Sequence, residues 1–237
     1  MLVIWAGFVF IILPLLLYAE ITIKTPAWQK VKDLTKKGYY VFLFINNNKN
    51  EDSKKMFTAI KEIKGTKTKK VDIVQIAKSD SKEKELINFF KIGEDPTVIT
   101  LAPNGAITGY FAKTVVKDSL ISSLVSLKEA EVIKNLQDGK AVFLCFHDKN
   151  NSDYIKVQNE IESVAANFKG MVNAIYVSSG EENLRKKVAL TSDITTVLII
   201  VPPGQAVAQL EGSNITKANL MRAFLSSCGS GCGSGCK

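Results

Sequence analysis

Five side chains could do thiol or imidazole chemistry, and their spacing sorts them into two groups. Cys228, Cys232 and Cys236 stand four apart in Cys-Gly-Ser-Gly-Cys-Gly-Ser-Gly-Cys near the carboxyl end. Gly/Ser spacers keep such a segment flexible, so its sulfurs can converge. Three readings stand open for this tail. It can form disulfides and leave one thiol for intermolecular pairing, it can capture a soft ion such as Zn²⁺ or Cu⁺, or it can be an inert end. Structural zinc sites take four ligands, whereas the tail offers three. The second group is Cys145 and His147, the latter the single histidine of the chain. Two apart in an apolar run, they share one face of a strand. A Cys/His pair can make an activated nucleophile, but a buried cysteine behaves as a small hydrophobe, and no third group is placed to orient the imidazole. The core reading therefore stands first for this pair.

Other chemical signatures are few. Leu225-Ser226-Ser227-Cys228 imitates a lipoprotein acylation box, but that box acts only behind an N-terminal signal peptide, so no lipid is assigned. Asn150-Asn151-Ser152 and Asn214-Ile215-Thr216 are glycosylation sequons, meaningful only in a eukaryotic secretory route. The sequence holds no glycine-rich phosphate loop, paired catalytic carboxylates or His-x-x-x-His motif.

The elements that must position these residues come in duplicate. Residues 96–105 read PTVITLAPNG, and 99 positions later residues 195–204 read TTVLIIVPPG. Each copy is a β-branched strand, a Gly turn and an outgoing strand, Ala106–Phe111 or Gln205–Leu210, so each predicts a β-hairpin. Upstream, GYYVFLF (Gly38–Phe44) matches GKAVFLCF (Gly139–Phe146), and Val31–Leu34 matches Ile133–Leu136. Blocks in one order at nearly one offset indicate internal duplication.

Periodicity fills in the rest. Ile21–Lys24 reads as a short strand. Thr25 caps a helix that starts with Pro26, carries Trp28, Val31 and Leu34, and stops at Gly38. Tyr39–Ile45 reads as a strand covered on both faces. A helix with Phe57, Ile60 and Ile63 on one side follows, then strand Val71–Ala77 and helix Ser81–Ile92 with Leu86, Phe89 and Phe90 inward. The hairpin and a helix over Val115–Leu127 close the first copy. The second repeats this order: helix Ala130–Leu136, strand Ala141–Phe146, a helix from Tyr154 to Phe168, strand Val172–Val177, helix Glu182–Leu190, the hairpin, and helix Ala218–Leu225. Such crossovers require a partly parallel sheet with helices on both faces, and the hairpin adds an antiparallel edge.

A chain of 237 residues suits two domains of about 100. Apolar content of 46% and charged content of 23% fit globular domains that need no metal or disulfide to hold a core. The net charge of +8 is carried by lysine, with Arg185 and Arg222 the only arginines. The cluster Lys61–Lys70 has no interleaved aromatic to stack on bases, so it reads as a solvated face, and nucleic acid is not an expected partner.

The amino-terminal segment stands apart. Leu2–Ala19 carries no charge. It is long enough to span a bilayer as a helix, or to serve as a signal-peptide core cleaved before Glu20. It lacks a basic residue ahead of the apolar run, and Leu17 stands where a cleavage site prefers a small residue. As an anchor, its positive flank of Lys24, Lys30 and Lys32 follows the span and favours a cytoplasmic body. Export, anchored or cleaved, is the expectation, with the membrane as a partner through this segment.

Leu86–Phe111, LINFFKIGEDPTVITLAPNGAITGYF, resembles the second half of a thioredoxin fold. Its matching features are a helix, a short loop, Pro-Thr opening an apolar strand, a Gly turn and an outgoing strand. The resemblance implies a cis bond at Asp95–Pro96 and a peptide-docking edge at Asp95, Pro96 and Thr97. Thr195 takes the proline position in the second copy, so a trans Ile194–Thr195 bond is expected there. The family's Cys-x-x-Cys pair sits at the start of the helix after the central strand, where a helix N-terminus stabilises a thiolate. The matching stretches, Asn46–Asp52 and His147–Asp153, contain no cysteine. Two such copies resemble the non-catalytic domains of protein disulfide isomerase-like proteins, which act by binding.

The expected fold class is therefore α/β: two tandem thioredoxin-like domains, each a mixed central sheet with helices on both faces, after an N-terminal apolar helix. The expected division is a signal peptide or membrane anchor over 1–19, domains over 20–128 and 129–227, and a flexible tail over 228–237. The expected function is binding of a polypeptide partner by redox-inactive domains. The competing reading is a thiol-disulfide or soft-metal protein acting through its tail.

Overall fold

Thr25 starts the first helix by accepting a hydrogen bond from the Trp28 amide, with Pro26 at the first helical position, where its missing N–H costs nothing. A computed structural model describes residues 23–47, 50–66, 68–147, 154–178, 180–190 and 194–228, with the side chains of 227 and 228 left out. The apolar segment Leu2–Ala19 and the tail cysteines Cys232 and Cys236 lie outside the described residues. Among those described, no helix is long and apolar enough to cross a membrane. The chain divides into two compact units, with the division along the sequence between Lys134 and Asn135. That point and Lys128 both fall within one helix, Leu127–Gln137.

The first unit runs α1 (Pro26–Lys36), β1 (Tyr40–Ile45), α2 (Glu51–Gly65), β2 (Val71–Ile76), a 3-10 turn at Ser81–Glu83, α3 (Lys84–Phe89), β3 (Thr97–Leu101), β4 (Ile107–Ala112) and α4 (Lys117–Ser122). Its sheet has the order β2-β1-β3-β4, with β1 parallel to β2 and the other pairs antiparallel. Every residue of β1 is buried, as a strand covered on both faces requires. Phe57 of α2 stacks on Phe44 at 5.3 Å, and Ser123, just past α4, hydrogen-bonds Thr100. These contacts place α2 and α4 on one face of the sheet.

The helix joining the units is α5 (Leu127–Gln137). The second unit continues with β5 (Ala141–His147), α6 (Tyr154–Asn167), β6 (Val172–Ser178), α7 (Glu182–Lys187), β7 (Thr196–Val201), β8 (Gln205–Glu211), a 3-10 turn at Gly212–Asn214 and α8 (Lys217–Cys228). Its sheet order β6-β5-β7-β8 repeats that of the first, with the same parallel and antiparallel pairings. Val157, Ile161 and Val164 of α6 and Leu220 and Phe224 of α8 pack on Phe143, Cys145, Val197 and Ile199. Arg185 lies over Phe146 on the opposite face, which puts α7 there. Each unit thus has the mixed four-stranded sheet and surrounding helices of a thioredoxin-like domain.

The duplication extends to details that periodicity does not carry. Lys91 and Ala189, each just past its short helix, both adopt left-handed φ values, 50° and 53°. In both places the next amide bonds back to a carbonyl five residues earlier: Ile92 to Ile87, and Leu190 to Arg185.

Four expectations need correction. Ile23 and Lys24 are not in a strand. The Lys24 amide donates to the Glu85 side chain, and the sheet edges are β2 and β4. Met56, which was not singled out, is buried in α2 with Ile60 and Ile63, whereas Phe57 faces the sheet only half-buried, stacked on Phe44. The helix expected over Val115–Leu127 is cut to Lys117–Ser122. The carbonyl of Val125 is held by the Tyr40 hydroxyl and the Lys69 ammonium, which also reaches the Leu124 carbonyl, and the chain breaks there before α5 begins. Ser81–Ile92 opens as a 3-10 turn, with Asp80 capping it through the Lys82 amide.

Candidate functional sites at the strand ends

In the first unit, β1 ends at Ile45 opposite Thr97, the first residue of β3. That register sets the Asn46–Asn47 strand end beside the Glu94–Thr97 loop. The Asn47 amide donates to both carboxylate oxygens of Asp95, at 3.2 and 3.1 Å. Asn47 also accepts the Ser79 amide through its side chain at 2.8 Å, which ties in the loop after β2. Lys78 reaches the same region, its ammonium donating to the Gly93 carbonyl at 2.6 Å.

The Asp95–Pro96 bond is cis, as expected, and Pro96 is buried while Asp95 is half-buried. Thr97 donates its hydroxyl to the Glu94 carbonyl at 2.9 Å. On the far side, Lys113 donates its amide to the Pro96 carbonyl at 2.8 Å and pairs with Glu94 at 3.2 Å. Burial pushes the Tyr110 phenol up, a hydrogen bond with Thr97 opposes the shift, and the Glu94 charge adds to it. Asp95, Pro96 and Thr97 therefore sit together in a loop braced from both sides. Asn47, Tyr110 and Lys113 brace it without having been singled out in the sequence. The cue for Tyr110 was cross-strand register, since Thr97 and Tyr110 project from the same face of a hairpin pair.

Helix α2 begins beside this loop. Asn50 caps it, accepting the Ser53 amide at 2.9 Å, and Glu51 and Asp52 fill its first turn. The Ser53 hydroxyl is buried and meets no hydrogen-bond partner among the described residues. Carboxylates at a helix N-terminus complement its positive end.

The corresponding place in the second unit is the end of β5. Cys145 is fully buried, and desolvation pushes its thiol up to about 12. The thiolate is the nucleophile, so a thiol held protonated is inert at neutral pH. His147 is also buried and stacks on Tyr154 at 3.9 Å with the ring planes 20° apart. Tyr154 meets Tyr176 edge-on at 6.1 Å, and Tyr176 donates its hydroxyl to Glu162 at 2.7 Å. Burial, then the Glu162 carboxylate, raises the Tyr176 phenol. Cys145 and His147 thus belong to a packed aromatic cluster. Residues 148–153 lie outside the described residues. The Ile194–Thr195 bond is trans, whereas Pro202–Pro203 in the following turn is cis, which the hairpin pattern did not foretell.

Of the tail, Cys228 ends α8. Cys232 and Cys236 lie outside the described residues, and the Zn²⁺ or Cu⁺ reading with them. Among the described residues no group of three or more His, Cys, Asp or Glu side chains could hold a metal ion. An open cleft of about 420 Å³ lies elsewhere in the first unit, between the end of α1 (Thr35, Lys36), the β3–β4 turn (Pro103, Asn104) and α5 (Leu127, Glu131).

No protein-family model matches the chain, and no curated protein matches it in sequence. Among solved structures, it is similar to the N-terminal NTD_N/C domain of the alkylhydroperoxide reductase AhpF from Enterococcus faecalis, at 19% identity over 82% of this chain and 98% of that one, with a TM-score of 0.32. The first two thioredoxin domains of Saccharomyces cerevisiae Eps1p match at 13% identity over 82% of this chain and 94% of that one, with a TM-score of 0.30. Human ERp44 in a zinc-bound form matches at 10% identity over 84% of this chain and 59% of that one, with a TM-score of 0.35. The fold assignment stands on strand order, direction and register.

Proposed function

We propose that the chain is an exported or membrane-anchored peptide-binding protein whose two thioredoxin-like domains do no dithiol chemistry. The first domain docks an extended polypeptide at Asp95, Pro96 and Thr97. The observation that carries this reading is the braced loop. Asn47, Thr97 and Lys113 hold Glu94–Thr97 from both flanks, beside a helix N-terminus that bears Asn50, Glu51 and Asp52 in place of thiols. A loop ordered before binding spares the complex the entropy of ordering it. Pro96 and Thr97 are buried and fix the loop, so the half-buried Asp95 before the proline is the residue whose main chain an extended peptide would pair with. The apolar amino-terminal segment supplies the membrane or export part of the proposal.

The test is fluorescence anisotropy of a labelled, reduced and alkylated unfolded polypeptide with the full chain in detergent micelles. Asp95→Ala frees the Asn47 amide and removes a charge-assisted brace. It should weaken binding about tenfold or more, the worth of one such hydrogen bond. Unchanged binding in Asp95→Ala and Thr97→Ala would remove this loop as the docking edge. Carbonate extraction and protease protection in cells test the membrane part separately.

A further inference from the structure

We propose that Asn214 is an N-glycosylation acceptor, modified on the nascent chain before the second unit closes. The proposal rests on export into a eukaryotic secretory lumen. Its sequence basis is Asn214-Ile215-Thr216, one of two sequons. The structure separates its three residues. Asn214 ends the 3-10 turn between β8 and α8 and is exposed, and no described residue hydrogen-bonds its side-chain amide. Its own carbonyl takes the Asn219 side chain at 3.0 Å, so the turn is held through its backbone and leaves the side chain in solvent. A bulky, solubilising glycan at that position displaces no packing contact.

The next two residues set the timing. Ile215 is 3% exposed and belongs to the core with Ile161, Val164, Leu220 and Phe224. The Thr216 hydroxyl accepts the Asn219 amide at 3.3 Å and so caps α8. A transferase must read the Thr hydroxyl and the backbone around Ile215, and both are engaged once the unit is folded. The acceptor step therefore precedes packing. In that step the Asn214 amide nitrogen attacks the anomeric carbon of an oligosaccharide carried on a polyprenyl pyrophosphate. A C–N bond forms, the C–O bond breaks, the polyprenyl pyrophosphate leaves with the electron pair, and a base of the transferase takes the amide proton.

The test translates the full chain in the presence of rough microsomes, with Asn150→Gln introduced so that a single sequon remains. It is run with the native amino terminus and with a cleavable secretory signal appended, and protease protection verifies luminal delivery. The signal-appended chain should gain one endoglycosidase-sensitive mobility shift. Asn214→Gln should abolish the shift and Thr216→Ser should retain it. Folded protein given to detergent-opened microsomes, whose transferase is then accessible, should gain none. A luminally delivered chain with no shift, or a shift that survives Asn214→Gln, overturns the proposal. A shift in the signal-appended chain but not in the native one would show a competent sequon on a chain that does not reach the lumen, and it overturns the proposal together with the export reading on which it rests.

Discussion

The packed end of β5 makes a quantitative prediction about alkaline pH. The folded thiol of Cys145 is pushed by burial up to about 12, from an unperturbed 9.0. Above pH 9 the unfolded chain releases a proton that the folded chain keeps. The unfolded state then binds fewer protons, so stability falls with rising pH. The contribution is whole below pH 9 and is lost progressively as pH rises from about 9 towards 12. At pH 10 the loss amounts to about 1–2 kcal/mol. The perturbation is Cys145→Ala, which removes the titrating group at a cavity cost that does not vary with pH. Tyr154 and Tyr176, whose phenols are raised first by burial and further by the Cys145 charge, act with the same sign, so the difference between the two proteins reports Cys145 together with the part of the tyrosine shifts that it causes. The assay is urea denaturation followed by far-ultraviolet circular dichroism at pH 7.5 and pH 10. The second-unit transition should move further between the two pH values in the wild type than in Cys145→Ala. Parallel shifts in the two proteins would refute the reasoning. They would mean that solvent reaches the sulfur, and the end of β5 would again be a candidate for reactive chemistry.

Alkylation should sort the thiols by the same cause. Burial holds the Cys145 thiol far above the ordinary cysteine range and away from reagent, so Cys145 should label on unfolding and the three tail cysteines quickly after mild reduction, as read by peptide mass spectrometry. Residues 20–227 should show no turnover in an insulin-reduction assay, and measurable turnover would refute the redox-inactive reading. Gly109→Ala should cost about 1–3 kcal/mol in urea denaturation, because an added Cβ would stand 2.7 Å from Phe111 Cε2 and 2.8 Å from Ser123 Cβ, where the hairpin meets the end of α4. Asn50→Ala should cost about 1 kcal/mol by removing the cap that accepts the Ser53 amide, with the first-unit transition as the readout.

What the sequence determined by itself was everything that repeats or alternates locally. β1 and β5 are continuous apolar runs, and both are buried along their whole length. Thr25-Pro26 and Gly38 bracket α1 because capping and left-handed φ are properties of single residues. Pro-Thr in the first copy, Thr-Thr in the second and the Gly turn in each located the hairpins to within a residue or two, and the nearly equal offsets made two domains from one pattern. The missing cysteines at the strand ends were legible without a fold.

Tertiary structure alone decided the rest, through contacts between residues distant in sequence. Lys69 and Tyr40 lie 55 and 85 positions from the carbonyls they hold, and they end α4 where local periodicity predicts more helix. Asn47 and Asp95 lie 48 positions apart, and register brings that amide to that carboxylate. The Cys145–His147 spacing admits a reactive pair as well as a packed core, although the habit of cysteine to be buried puts the core first. Tyr154 stacked on His147, and α6 laid over Cys145, select the core, because burial acts on a thiol through whatever the fold places around it.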